Sequence, residues 1–324
     1  MEHLRIYVDR AMPADAMDLL RAGTFGHELV FPAKPAASVL AQGEQDPQFA
    51  TVDIAFGQPE TSAIADAPRL RWVHVSSAGV TRYDTDEFRA HAKERGLLVS
   101  SSSTVYDEAC AVHVLSFMLA HARMLPLSLA TRAANGTDAW RGLRAGSGTL
   151  RDETVLIVGY GAIGRRLTEL LRPFGVGIVA YRRRERGDEG VPVVEEAGLA
   201  AALRAADHVV DLLPESVETQ SFFGRERFAV FKAGAAFYNI GRGATVDQDA
   251  LLEALRSRRI GAAWLDVTEP EPLPDGHPLW AEPGCFITPH VAGGHSDESK
   301  ASVRHFVRNL ALFLRGEPLT DRVI

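Results

Sequence analysis

Short apolar runs of strand length alternate along the chain with stretches whose apolar residues recur at helical spacing. Residues 4–8, 52–56, 71–75 and 97–100 read as strands, and 14–21, 62–66 and 87–95 as helices. Gly23, Gly26, Pro32 and Pro35 punctuate a loop between them. Residues 107–123 carry the most apolar long helix pattern, through Ala111, Val114, Leu115, Phe117, Met118 and Leu119. That coverage exceeds one stripe, so the helix is expected between layers or against another subunit. A glycine-rich linker is read over 133–148. A second series follows, with strands at 154–158, 177–181, 206–214, 235–240, 261–266 and 284–290. Residues 247–256 and 299–315 read as helices within and after it. Strand–helix alternation of this kind predicts an α/β chain with parallel sheets, whose chemistry lies outside the C-terminal ends of the strands.

The strand at 154–158 runs into Gly159-Tyr-Gly-Ala-Ile-Gly164 and then into a helical face of Ile163, Leu167, Leu170 and Leu171. GxGxxG spacing has a physical reason. The first glycine allows a tight turn, the second lets backbone approach a pyrophosphate, and the third lets helix pack on strand. The helix then offers unpaired N–H groups and its positive end to phosphate. The competing reading is a strand–turn–helix junction without a ligand. After the next strand comes Tyr181-Arg-Arg-Arg-Glu-Arg186. An acid there would accept hydrogen bonds from the ribose hydroxyls of NAD, whereas arginines suit a 2′-phosphate. Arg182 and Arg183 therefore favour NADP, and Glu185 keeps NAD open.

Composition excludes some functions. A chain of 324 residues, 46% hydrophobic, can bury two cores. Its formal net charge of -7 offers no broad basic surface for nucleic acid. No apolar run reaches transmembrane length, and the start shows no secretory pattern. Cys110 and Cys285 stand far apart without metal-ligand or CxxC spacing, so no metal is expected and a cytoplasmic setting is the default.

Polar residues cluster where strands stop: Asn239, Arg242, Asp266, Glu271 and His290. A histidine suits acid–base work near neutrality, and a neighbouring carboxylate would orient it. Arg242 could clamp a carboxylate and meet charge growing on a carbonyl oxygen. Each also has an ordinary reading as a turn cap, a solvated charge or a packed loop residue. The small residues Ser76-Ser-Ala-Gly-Val80 after the strand at 71–75 make a candidate anion loop.

Several motifs in order resemble the D-isomer-specific 2-hydroxyacid dehydrogenases, including their glyoxylate/hydroxypyruvate reductase branch. They are Ser77-Ala-Gly-Val80, the glycine turn, Leu213-Pro214 with Glu218-Thr219, and Lys232-Ala-Gly-Ala235. Further matches are Asn239-Ile-Gly-Arg-Gly243, the stretch from Leu265 to Pro274, and Thr288-Pro-His-Val-Ala-Gly293. The resemblance implies two Rossmann-like or flavodoxin-like doubly wound domains with a cleft between them. A discontinuous substrate domain would span 1–103 plus 291–324, and a dinucleotide domain with a dimerisation helix 104–290. It implies Arg242 as binder of the substrate's carboxylate and carbonyl, His290 as acid/base, and Glu271, rather than Glu269, as its partner. Ser77, Ala78, Gly79 and Val80 would meet the substrate. Tyr160, Gly161, Ala162, Ile163, Leu213, Pro214, Ile240, Gly241, Asp266 and Gly293 would meet the cofactor. The implied reaction moves a hydride between NADPH and a small 2-keto acid in a homodimer. Alternatives are an NAD-dependent D-3-phosphoglycerate or other D-2-hydroxyacid dehydrogenase, and a nonenzymatic nucleotide-sensing corepressor. The chain departs from the family pattern at Ser103-Thr-Val-Tyr106, at Ala111-Val-His113 and at His295, which leaves the substrate open.

Overall fold

The computed structural model describes residues 2–36 and 46–324. It divides the chain into two compact units, Met1–Tyr106 with Gly294–Ile324, and Asp107–Gly293. The first contains β1 (Arg5–Val8), α1 (Ala14–Gly23), β2 (Glu28–Val30), β3 (Ile54–Gly57), α2 (Thr61–Ala65), β4 (Trp72–Val75), α3 (Asp86–Arg95) and β5 (Leu98–Ser100). All neighbouring strands are parallel, in the order β2-β1-β3-β4-β5. This is the flavodoxin-like arrangement.

Period-two alternation explains its two apolar layers. Ile54, Phe56 and Trp72 point to one face, where Val303, Phe306 and Leu310 of the final helix, Glu298–Arg315, cover them. Ala55, Val73 and Val75 point to the other, against Phe49, Ile64, Tyr83 and Phe88. Phe306 stacks on Phe56 at 4.5 Å and on Trp72 at 5.2 Å between ring centroids. Helix α3 has its ends written in sequence: the Thr85 hydroxyl accepts from Phe88 N at 3.2 Å, and Gly96 closes the helix at φ 67°.

The second unit takes up α4 (Ser103–Ala122), which starts four residues before the helix expected from sequence and crosses the boundary between the units. The stretch read as a linker folds into α5 (Leu125–Ala130) and α6 (Asp138–Gly146). Glycines at 136, 142, 146 and 148 hid α6 from a pattern reading, although Thr137 caps it by accepting from Trp140 N at 3.3 Å. Then come β6 (Thr154–Val158), α7 (Ala162–Leu171), β7 (Gly177–Tyr181), β8 (Val193–Val194), α8 (Glu196–Ala205) and β9 (His208–Asp211). The unit closes with α9 (Arg225–Ala229), β10 (Ala235–Asn239), α10 (Gln248–Arg256), β11 (Ile260–Leu265), α11 (Pro278–Ala281) and β12 (Cys285–Ile287). The parallel order β12-β11-β10-β9-β6-β7-β8 is doubly wound, with its direction reversing between β6 and β9. Strand β12 is shorter than the run expected over 284–290, because the chain turns sharply after Ile287. Among the described residues no helix is long and apolar enough to cross a membrane.

At the end of β9, the buried Asp211 carboxyl accepts from Leu213 N at 3.0 Å and lies 2.6 Å from the Thr245 hydroxyl. It thereby ties β9 to the turn after β10. The Thr245 hydroxyl is also 2.6 Å from the Arg242 carbonyl and has one hydrogen to give. A protonated Asp211 donates to Thr245 and frees that hydrogen for Arg242. Burial, set against the bonds from Thr245 and Leu213, pushes the Asp211 carboxyl up to about 7.

Two outcomes follow from this packing. Phe306→Ala opens a cavity between stacked rings and is expected to cost about 3–5 kcal/mol in equilibrium urea unfolding. For Asp211 the folded pKa lies above the unfolded one, so its stabilising contribution is full below the unfolded pKa and is lost as pH rises through about 7. Asp211→Asn mimics the protonated acid. Its thermal midpoint relative to the unaltered chain is therefore expected to climb as pH rises through that window, and a pH-independent offset would contradict the assignment.

Candidate active site

The second unit brings the ends of β6, β9, β10, β11 and β12 to one rim of its sheet. Gly159 follows β6 at φ 93°, and a Cβ there would lie 2.7 Å from the Leu212 carbonyl carbon, so only glycine serves. Gly161 begins α7 with no capping side chain, and a Cβ built on it would meet nothing within 4 Å. The turn thus leaves uncapped helix N–H groups facing open space, which fits a pyrophosphate. The Tyr160 hydroxyl bonds Thr168 at 3.0 Å and the Glu189 carbonyl at 3.2 Å, so its ring is committed to packing and only its backbone is left for a ligand. Ala162 and Ile163 open α7.

The loop after β7 is folded on itself. Arg182 Nη1 reaches Glu189 Oε1 at 3.1 Å, and the Glu189 carboxylate also accepts from Arg186 N at 3.0 Å and Gly187 N at 2.9 Å. Burial pushes the Glu189 carboxyl up, but these backbone bonds and the Arg182 charge outweigh it and hold the group below the ordinary carboxylate range. Arg165 on α7 clasps the same loop, donating to the Asp188 carbonyl at 2.7 Å and to its carboxylate at 2.8 Å. Arg183 projects into solvent, 80% exposed and 4.0 Å from Glu218. The two arginines grouped by sequence reasoning thus differ: one is matched by an internal acid and the other is open.

After β10, Asn239 is an internal brace. Its Oδ1 accepts from Gly241 N at 2.9 Å and its Nδ2 donates to the Arg242 carbonyl at 3.0 Å, fixing Ile240, Gly241 and Arg242 in one turn. A Cβ on Gly243 would fall 2.0 Å from the Thr268 carbonyl carbon, so this turn packs directly on the chain leaving β11. Arg242 Nη1 donates to the Gly241 carbonyl at 2.6 Å, which leaves its remaining donors for a ligand. Leu213 N is held by Asp211, and Pro214 follows.

Asp266, buried just beyond β11, gathers the next strand's loop. Its carboxylate accepts from the Thr288 hydroxyl at 2.5 Å, Val291 N at 2.9 Å and Ala292 N at 2.8 Å. Between these donors, His290 takes φ 52°, a left-handed conformation that costs a non-glycine residue on the order of 1–3 kcal/mol. Its own N–H lies 2.9 Å from the Asp266 carbonyl, and its Nδ1 lies 2.5 Å from Glu271 Oε1. Glu269, by contrast, has both its backbone N–H and its carbonyl held by Gln248. His113 on α4 stands 3.3 Å from the Thr288 hydroxyl. Because Thr288 gives its only hydrogen to Asp266, His113 must donate through Nε2, which fixes its tautomer. Burial holds the His113 imidazole below its ordinary range, partly offset by Asp266. Gly293 ends the loop at the unit boundary.

In the first unit, Gln58 Nε2 donates to the Ser77 hydroxyl at 2.7 Å, and that hydroxyl donates to the Gly79 carbonyl at 2.7 Å. Ser77 is buried, while Ala78, Gly79 and Val80 are partly exposed. A cavity of about 540 Å³ in the second unit, lined by His121, Glu153, His208, Trp264 and Phe286 among others, lies at the opposite end of the strands. Its lining includes none of Arg242, Asp266, Glu271, His290 or the glycine turn. Among the described residues no group of three or more His, Cys, Asp or Glu side chains is placed to hold a metal.

Asp211 and Glu189 were not singled out from sequence, and Thr288 and His113 stood there only within a matching motif and a departure from the family pattern, with no role. An acid ending the apolar run before Leu212, Leu213 and Pro214 was the available signal for Asp211, and no local pattern distinguished Glu189 from its charged neighbours.

The family profile described as D-isomer specific 2-hydroxyacid dehydrogenase, NAD binding domain, matches residues 115–292. Human glyoxylate reductase/hydroxypyruvate reductase is 33% identical over 261 residues, 80% of this chain and 78% of that protein. Glyoxylate reductase of Aeropyrum pernix is 30% identical, with 98% of this chain and 95% of that protein covered. The crystal structure of a D-isomer specific 2-hydroxyacid dehydrogenase from Xanthobacter autotrophicus Py2 in complex with NADPH and MES superposes with a TM-score of 0.79 at 28% identity. That match covers 100% of this chain and 98% of that one. With the motifs, the doubly wound sheets and the full-length relatives in agreement, the chain belongs to the D-isomer specific 2-hydroxyacid dehydrogenases, a family of nicotinamide-dependent oxidoreductases.

Proposed function

We propose that the protein reduces a small 2-keto acid of the glyoxylate or hydroxypyruvate class to the D-2-hydroxy acid, with NADPH as the preferred reductant. The contact that carries this reading is Glu271 Oε1 to His290 Nδ1 at 2.5 Å. It leaves the second ring nitrogen, Nε2, free to hold a proton for a substrate oxygen. A bound nicotinamide cofactor supplies the hydride for the C2 carbonyl.

The chain's own residues do the rest. His290 delivers a proton to the carbonyl oxygen, and Glu271 stabilises the charged ring before transfer and orients it. Arg242 grips the substrate carboxylate and meets the negative charge growing at the carbonyl oxygen. Backbone donors of Ala78, Gly79 and Val80, beside Ser77, complete carboxylate recognition. The glycine turn at Tyr160, Gly161, Ala162 and Ile163 takes the pyrophosphate. Leu213, Pro214, Ile240, Gly241 and Gly293 pack along the cofactor. Asp266 acts beside the nicotinamide by shaping the His290 loop, since its oxygens already accept three donors.

The substrate class is supported by the names of the human and Aeropyrum relatives. The NADPH preference is supported by the arginines after β7 and by the NADPH in the Xanthobacter structure. Both cysteines are unpaired, which suits a reducing cytoplasm. The exposed Leu125, Leu127 and Leu129 of α5 suit a homodimer.

His290→Ala is expected to lower kcat by about 10²–10⁴-fold while the NADPH dissociation constant, read by fluorescence titration, stays within about twofold. An unchanged turnover rate would remove the acid–base role. Absorbance loss from NADPH should be rapid with glyoxylate and hydroxypyruvate and slow with a bulky aromatic 2-keto acid. Replacement of Arg183, which leaves the Arg182–Glu189 pair in place, should weaken NADPH use and spare NADH; equal effects on both cofactors would undo the NADPH reading.

A further inference from the structure

The two arginines after β7 are not equivalent, and the loop geometry separates their work. We propose that Arg183 is the residue that selects the 2′-phosphate, and that Glu189 is its positioning residue, folding the loop by engaging Arg182. This rests on the NADPH reading given above.

The Glu189 side chain is 2% exposed, and Arg182 beside it 14%. A carboxylate that enclosed needs its donors, and it has three: the Arg182 guanidinium and the N–H groups of Arg186 and Gly187. Turning Arg182 toward a phosphate would strip a buried acid of its counter-charge, and this costs more than a solvated phosphate contact returns. Arg182 is therefore a structural cation.

Arg183 differs in every respect. Its side chain is 80% exposed, and its sole ion-pair approach among the described residues is 4.0 Å to a Glu218 that is itself 65% exposed. Such a pair is worth little, so the guanidinium is available. Its placement is also directional. Glu218 lies on the segment after Leu213 and Pro214, so Arg183 stands between the ends of β7 and β9, on either side of the strand that feeds the glycine turn. Among the described residues Arg184 makes no ion pair to aim it.

A loop of eleven residues bearing four arginines, between β7 and β8, would otherwise sample many shapes. Glu189 closes it from within, Arg165 pins Asp188 to α7, and the Tyr160 hydroxyl holds the Glu189 carbonyl. The ordering cost is thus met before the cofactor arrives, which favours a single bidentate contact from Arg183 to phosphate.

Calorimetric titration of NADPH, NADH and 2′,5′-ADP against purified variants tests this without turnover. Arg183→Gln should raise the dissociation constants of NADPH and 2′,5′-ADP by roughly tenfold or more and leave NADH within about twofold. Arg183→Lys should recover part of the loss, because a point charge replaces the fork. Glu189→Gln should weaken NADPH several-fold in the Arg183 background and change nothing further once Arg183 is already Gln, since it acts through that residue. Tighter NADPH binding by Glu189→Gln would overturn the proposal, as would a selective loss in Arg182→Gln that adds in full to that of Arg183→Gln. A preference for NADPH that survives Arg183→Gln overturns this assignment alone. Equal affinity for NADPH and NADH in the unaltered chain would overturn the NADPH reading along with it.

Discussion

The buried carboxylate of Asp266 is the interaction on which the site depends. Three donors from the chain after β12 converge on it, and together they offset the cost of placing His290 in a left-handed conformation. Without that convergence nothing in the local sequence would hold a β-substituted residue there, and the ring would lose its aim at Glu271. Thr288 and His113 extend the arrangement into α4 as a directional chain of donors, from imidazole to hydroxyl to carboxylate. The long helix therefore helps shape the His290 loop, besides supplying apolar surface.

Sheet order explains why residues so far apart in sequence share one rim. Arg242, Asp266 and His290 follow β10, β11 and β12, which pair in parallel side by side. Parallel strands with helical returns bring every loop of this kind to the same end of the sheet. The tight approaches at Gly159 and Gly243 show how little clearance separates neighbouring turns: one touches the chain after β9, the other the chain after β11. A rim assembled this closely holds its polar side chains within narrow limits, which is what proton transfer over one hydrogen-bond length requires.

Much of this was legible because periodicity and turn chemistry act locally. Most of the strands, the glycine turn and the capped helix α3 each announce themselves within about a dozen residues, whereas β2, inside the stretch read as a loop, and the two-residue β8 do not. The same holds for the polar stops at Asn239, Asp266 and His290. What escaped reading depends on distance. Helix α6 was lost among glycines that signal loop more strongly than Thr137 signals a cap. The division between Arg182 and Arg183 turns on a partner seven residues along the chain, in a run where nearly every residue is charged. Asp211 and Thr245 meet across 34 positions through strand pairing, so neither residue alone marks the contact.

The electrostatics of the chain reconcile an acidic molecule with anionic ligands. A formal charge of -7 repels a keto acid and a dinucleotide at long range, but salt confines that repulsion to about 8 Å around each exposed charge at physiological ionic strength. Inside that distance local geometry decides. Arg242 has donors to spare, Arg183 is open to solvent, and the uncapped start of α7 presents N–H groups, so the attractive groups are the ones a bound anion meets first. Several acids near these cations are already satisfied: Asp266 by three donors, Glu189 by three, Asp188 by Arg165. Glu271 is engaged by the His290 ring. The rim of the sheet therefore offers an anion fixed cations and free N–H groups on a chain whose overall sign would suggest exclusion.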